Sequence, residues 1–302
     1  MKVIYLIQGS LVDLHFFQDY IPEDQFTITL NYDVDPKKSV PKSNIHIYFP
    51  NSTWASGRNL LLERARGLGI DFEYYIFLDA DLRVIKSGFS EFEELLKTYR
   101  PKLGLPLGDQ VKNTYRYLPN ASVQSQFSFD QILQAYRSDV IEDGICVPYI
   151  TDFDSDSWWY SCEINSYLTV FYCQDDIIQF NDFEIQNSRH DGPELNAEGQ
   201  SNYKAGTNAL GLSKCRDLIQ SKFEDPRFVL GTLFHPKFLP KLIHYPTVRQ
   251  LVRREFEEDS GIEVGRFLRA IVKSAQVFLY RVLFNRYDLE NRIIVERSKK
   301  GS

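Results

Sequence analysis

The chain has 302 residues, a formal net charge of -6, and 43% hydrophobic against 25% charged residues. That balance describes a folded globular protein and excludes a low-complexity or disordered chain. The acidic surplus argues against a nucleic-acid partner, which calls for a basic field, and says nothing against a small phosphorylated ligand. Cys146, Cys162, Cys173 and Cys215 lack CxxC spacing, so neither a zinc knuckle nor a disulfide framework is implied, and reduced thiols in a cytoplasmic setting are expected.

The opening MKVIYLIQGS runs straight into a first strand and carries no leader pattern, so no export is expected. The acceptor-like triplets at Asn51 and Asn120 are then without chemical consequence. Short apolar runs at 3–7, 26–30, 45–49 and 74–78 predict strands, separated by polar turns and by a helix over 56–66. Leu60, Leu61, Ala65 and Leu68 form the apolar side of that helix, and Gly67 and Gly69 end it. This is the rhythm of a parallel sheet covered by helices. Further on, the pattern predicts helices over 89–99 and 129–136, strands over 103–107 and 145–149, a polar and aromatic loop over 152–159, and a helix over about 160–171. A short strand over 183–186 precedes a Gly-, Pro- and Asn-rich loop over 188–201. Ordered structure returns at 209–219 and 228–233, and the domain closes around 242–248.

From residue 251 the texture changes. An acidic patch at Glu255, Glu257, Glu258 and Asp259 is followed over 266–286 by an amphipathic helix whose charges are all basic. Such a helix packs on its own domain or lies on an anionic membrane surface as a peripheral contact. Residues 1–250 are therefore read as one domain with two halves that meet near residue 110, and 251–302 as a helical extension. No apolar run is long enough to span a bilayer.

The strongest chemical signal is Tyr74-Tyr75-Ile76-Phe77-Leu78-Asp79-Ala80-Asp81. An apolar strand ending in two carboxylates delivers them to the carboxyl edge of a parallel sheet, where ligands bind in open α/β folds. Hard oxygen ligands there suit Mg2+ or Mn2+ bridging phosphate oxygens, and a divalent ion stabilises a departing nucleoside diphosphate. Asp also caps and turns chains at strand ends, so the triplet alone does not decide.

With the preceding Trp54-Ala55-Ser56-Gly57-Arg58-Asn59 and its helix, this segment resembles the GT-A glycosyltransferases, especially the large family 2 group, over residues 2–84. The resemblance implies a GT-A type α/β fold, a Rossmann-like mixed sheet flanked by helices, and transfer of a sugar from a nucleoside-diphosphate sugar, a UDP-sugar being favoured, to a glycan, glycolipid or glycoprotein acceptor. On that resemblance Asp79 is the carboxylate on the ribose or base side and a metal neighbour, and Asp81 is the direct metal ligand. Arg58 lies near the base or diphosphate with Asn59 as its structural neighbour, Asp33 contacts uracil or ribose, and Gln8, Gly9 and Ser10 line the nucleotide. The first loop departs from the family, with Gln8-Gly9-Ser10-Leu11 in place of a proline-containing run.

An inverting transfer needs a base for the acceptor hydroxyl. Two acidic clusters compete for it: Asp154 and Asp156, beside Trp158 and Trp159, and the doublet Asp175-Asp176. The first also reads as a capping turn. A late histidine completes many such metal sites, and His190 is preferred over His244 and His235, with Arg189 and Lys204 as neutralisers of the diphosphate from the same loop. A sugar nucleotidyltransferase is disfavoured by the absence of a Gly-rich basic loop after the first strand. A dinucleotide-binding enzyme is disfavoured by the missing GxGxxG. A scaffold that binds a nucleotide sugar or carbohydrate without turnover remains the reading from another class.

Overall fold

In a computed structural model the described residues are 1–36, 40–112, 117, 121–126, 129–173, 176–187, 214, 215, 217 and 218. The predicted extension, the loop over 188–201 and the ordered runs over 228–233 and 242–248 lie outside them.

Strand β1 (Val3–Gly9) is buried along its whole length, as befits the middle of a sheet covered on both faces. Helix α1 (Leu11–Phe17), a short 3-10 turn (Gln18–Tyr20), β2 (Phe26–Asn31), β3 (Ile45–Tyr48) and α2 (Trp54–Arg66) follow. Then come β4 (Tyr74–Asp79), β5 (Leu82–Lys86), α3 (Phe89–Tyr99), β6 (Leu103–Gly108) and a single turn α4 (Asp109–Lys112). The remaining described elements are β7 (Val123–Ser125), β8 (Leu133–Arg137), α5 (Ser138–Asp143), α6 (Trp158–Cys173) and β9 (Ile177–Asn187).

The strands form one mixed sheet in the order β3-β2-β1-β4-β8-β6-β9-β5, with β7 also paired to β9. β3, β2, β1 and β4 run parallel, and β8 joins β4 antiparallel. Side chains alternate across the sheet. On one face Ile4, Leu6, Tyr75 and Phe77 pack with Leu61, Leu62 and Ala65 of α2 and Val140 of α5. On the other, Tyr5, Ile7, Tyr74 and Ile76 pack with Leu14 and Phe17 of α1 and Phe89 and Phe92 of α3. Burying two faces in this way leaves the strand edges and their connections to carry the site.

Two predicted elements are corrected. Residues 129–136 are not a helix: they enter β8, whose Leu133 and Ala135 face one layer while Gln134 and Tyr136 face the other. Phe129, Ile132, Leu133 and Tyr136 are all buried and happen to fall at i, i+3, i+4 and i+7, so the helical period is imitated by a loop running into a strand. Residues 145–149 bury Cys146, Val147 and Tyr149 but form no strand. The Asn59 side chain takes the place of a neighbouring strand, accepting from Tyr149 N at 2.7 Å and donating to Tyr149 O at 2.8 Å. The strand expected over 183–186 is the end of the longer β9, and α1 stands where a loop was expected.

Candidate active site

β1, β2 and β4 end together. Gly9 pairs with Asn31, and Gln8 with both Leu30 and Asp79. The chain leaves β1 toward β2 on one side and returns as β4 on the other, which makes the gap between the ends of β1 and β4 the topological switch point. The two strands touch there. Ala80 N donates to Gln8 O at 2.8 Å, and a Cβ at Gly9 would stand 2.6 Å from Ala80 Cβ. β4 stops at Asp79, and Ala80 and Asp81 form the turn that separates the two carboxylates.

Alternation puts Asp79 on the same face as Tyr75 and Phe77, toward α2. There Arg58 Nη2 donates to Asp79 Oδ1 at 2.8 Å, and the side chains are 0% and 26% exposed respectively. Arg58 also donates from Nη1 to Gln134 Oε1 at 3.2 Å. Its guanidinium lies 4.2 Å from the centre of the Trp54 ring, one helical turn back, and 5.8 Å from that of Tyr149. Burial alone would lower the Arg58 pKa, but the Asp79 charge, the hydrogen bond to it and Tyr149 together outweigh burial and hold it raised. Arg58 is thus a buried counter-charge beneath Asp79, enclosed by the Trp54 and Tyr149 rings and Gln134.

A buried polar network continues behind it. Tyr149 Oη donates to Gln134 Oε1 at 2.9 Å, Gln134 Nε2 donates to Asn165 Oδ1 at 3.1 Å, and Asn165 Nδ2 donates to Cys146 O at 2.8 Å. It fixes α6 against β8. The sequence reading missed these residues. Of the cluster, only the stacking of Trp54 on Arg58 had a signal, their i, i+4 spacing on one helix face.

Asp33 accepts from Leu11 N at 3.0 Å and from Asn31 Nδ2 at 3.1 Å, so it ties the end of β2 to the start of α1. Burial pushes its carboxyl upward, and the bonds from Asn31 and the Leu11 amide reverse this and hold it low. It is therefore an exposed anion at the same edge. Gln8 is placed differently from the expectation: its side chain is 5% exposed and turns under α2, with Nε2 toward Thr53 O at 3.3 Å. Ser10 caps α1, its Oγ accepting from Asp13 N at 3.1 Å. Of that loop, the backbones of Gln8 and Gly9 make the close approach to the Asp79-Ala80 turn.

Asp79 and Asp81 line different cavities. One of about 310 Å³ lies on the α1 side and includes Asp13, Phe16, Tyr20, Asp81 and Arg83. The other, about 90 Å³, lies on the α2 and α6 side and holds Asp79 with Trp54, Trp158 and Trp159. Helix α6 begins at this edge, and Asp154 precedes it. Thr53 Oγ1 and Ser161 Oγ each donate to one oxygen of Asp154, so this carboxylate clamps the start of α2 to the start of α6. Burial raises its pKa, and the two hydroxyl bonds oppose that rise. Asp156 is exposed in the same turn.

Asp176 is not brought to this site. It precedes β9 at the opposite edge, where it stands 3.8 Å from Arg137, and Arg137 pairs with Tyr74 at the start of β4. The length of β4, roughly 17 Å at 3.3 Å per residue, separates it from Asp79. Asp175, Arg189, His190, Lys204, His235 and His244 lie outside the described residues. Among the described residues no group of three or more His, Cys, Asp or Glu is placed to hold a metal ion, and no helix is long and apolar enough to cross a membrane.

No protein-family model matches the chain, and no curated protein does. Solved structures do. S. aureus TarS 1–349 in complex with UDP-GlcNAc matches with a TM-score of 0.50 at 12% identity, over 99% of this chain and 92% of that one. TarS 1–349 without a named ligand matches at 0.48 and 12%, over 99% and 91%. The longer S. aureus TarS structure matches at 0.47 and 13%, over 99% of this chain and 55% of that one. The likeness to the UDP-GlcNAc complex is one of fold, and with the sheet described above it establishes the expected GT-A type mixed sheet flanked by helices.

Proposed function

We propose that this chain is a glycosyltransferase that moves a sugar from a nucleoside-diphosphate sugar, a UDP-sugar by preference, to a hydroxyl of a glycan or glycoconjugate. The observation that carries the reading is Asp79-Ala80-Asp81 at the switch point between β1 and β4, with Asp33 at the end of the adjacent β2. The fold shared with a protein solved in complex with UDP-GlcNAc supports it.

In this reading Asp33 and the Gly9 backbone face the nucleoside, and Asp79 contacts ribose or donor sugar through the oxygen that Arg58 does not occupy. The donor set suits a hard cation. Asp81, with Asp79 as its neighbour, would hold Mg2+ or Mn2+, and the ion would supply charge stabilisation for the departing diphosphate. His190 or His244 would complete it, with Arg189 and Lys204 beside the diphosphate. Asp154 is committed to Thr53 and Ser161, so exposed Asp156 is the better carboxylate to take a proton from the acceptor hydroxyl. An assignment to the cytoplasm, with the 266–286 helix as a peripheral membrane contact, belongs to the same proposal.

Calorimetric titration with UDP, GDP, CMP and dTDP, with and without Mn2+, tests the donor side. One nucleotide should bind with a metal requirement that Asp81→Ala abolishes. Folded protein that binds none of the four would contradict the reading.

A further inference from the structure

The small cavity beside Asp79 has a chemistry of its own. Trp54, Trp158 and Trp159 supply flat apolar faces, with Trp158 and Trp159 stacked at 4.9 Å between ring centres. Asp79, Asp130 and Glu163 supply carboxylates, and among the described residues the lining contains no basic side chain. Arg58 is the nearby cation, and it is already bonded to Asp79 from below. The convergence is visible at the fully buried Cys162 thiol in the same wall. Burial raises its pKa first, Arg58 opposes, and Glu163, Asp79 and Asp130 all raise it further.

Among the described residues, Gln131 Oε1, an acceptor on a residue only 8% exposed, and Trp158 Nε1, a donor, find no hydrogen-bond partner in this wall. A buried polar group left unsatisfied destabilises the fold, so each favours a ligand that answers it. The other end of the Gln131 amide is held, Nε2 donating to Cys162 O at 3.2 Å and to Ser166 Oγ. A hydroxyl group is at once donor and acceptor, and can answer both. At about 90 Å³ the cavity matches the volume of about three waters in the liquid, so it takes one edge of a hexose ring and leaves the rest at its mouth.

We propose that this cavity, resting on the transferase reading above, is the seat of the acceptor's sugar ring, and that it selects neutral or amino-bearing sugars against sugars carrying a carboxylate or phosphate. Tryptophan faces take the C–H face of the ring, while Gln131, Asp130 and Glu163 accept from its hydroxyl or ammonium protons. An added anion there meets like charges in a partly desolvated wall, which costs affinity.

The test is a fluorescence and calorimetric titration of the full chain with three neutral disaccharides (chitobiose, cellobiose, maltose), the diamine of chitobiose, and digalacturonate, with UDP titrated in parallel. A neutral disaccharide or the diamine should bind, with digalacturonate at least about tenfold weaker. Trp159→Ala should abolish sugar binding, and Glu163→Gln, which keeps the shape, should narrow the gap against digalacturonate, while both leave UDP affinity unchanged. Digalacturonate binding as tightly as the neutral sugars would overturn the proposal, as would UDP binding with no sugar bound. Sugar binding with this preference but without UDP would support the cavity assignment and sink the nucleotide-sugar reading instead.

Discussion

Replacing Asp79 tests whether this carboxylate also holds the protein together. Asp79→Asn removes the negative charge 2.8 Å from a guanidinium whose side chain is 0% exposed. Arginine cannot escape by losing its proton, and breaking one side of a buried pair costs about 3–5 kcal/mol because the other charge is stranded. The reverse change, Arg58→Met, strands a carboxylate that is 26% exposed and can rehydrate. It should cost less, about 2–3 kcal/mol, including the lost contact with Trp54. The double variant should recover much of the loss, since replacing both partners removes the stranded charge. Urea unfolding of the wild type, both single variants and the double variant measures all three quantities. Thermal midpoints should fall by about 10 °C for Asp79→Asn. An Asp79→Asn protein as stable as the wild type, or an Arg58→Met protein more damaged than it, would refute the argument.

Gly9→Ala places a Cβ 2.6 Å from Ala80 Cβ, an atom fixed to the turn itself. It should cost about 1–3 kcal/mol and weaken UDP binding, read by the same unfolding and titration experiments. Thr53→Ala loses the α2 N-cap bond to Ser56 N and the bond to Asp154. The loss should be about 2 kcal/mol, toward the upper end for caps. Burial sets the folded pKa of Asp154 above its ordinary 3.8, so the folded state holds its proton more tightly than the unfolded one. Stability from this group is therefore full below 3.8 and declines as pH rises through the raised folded value. Urea midpoints between about pH 4 and about pH 7 should fall less steeply for Asp154→Asn than for the wild type; parallel curves would contradict this. Asp176→Asn should leave turnover unchanged, because Asp176 sits at the far edge of the sheet.

Much of the fold was legible because its elements obey one period each. β1 and β4 are continuous apolar runs, and α2 and α3 carry clean helical stripes. β8 was misread where loop and strand residues together copied the helical spacing, and 145–149 was misread because its partner is the Asn59 side chain, which no strand pattern announces. α1 was missed although Ser10 and Asp13 form a cap-like pair three residues apart. At the site, Asp79 and Asp81 stood out because the two carboxylates follow an apolar strand and the Trp54 to Asn59 helix start precedes it. Which wall each faces was less visible. Strand alternation assigns Asp79 to the face of Tyr75 and Phe77, and so to Arg58, but Asp81 lies beyond the turn, where the alternation no longer holds. Gln8 reads as a loop residue by type and is buried by position, since it closes the same strand that Leu6 begins to cover. The Gln134, Tyr149 and Asn165 network joins residues far apart in the chain, and only the assembled sheet brings them together.

The account's central claim is most directly tested by a crystal structure of the protein with UDP and Mn2+. It predicts the nucleotide across the ends of β1 and β4, with Asp33 beside the base or ribose, Asp81 on the metal and Arg58 still buried beneath Asp79. A nucleotide bound away from that edge, or touching neither Asp79 nor Asp81, would contradict it.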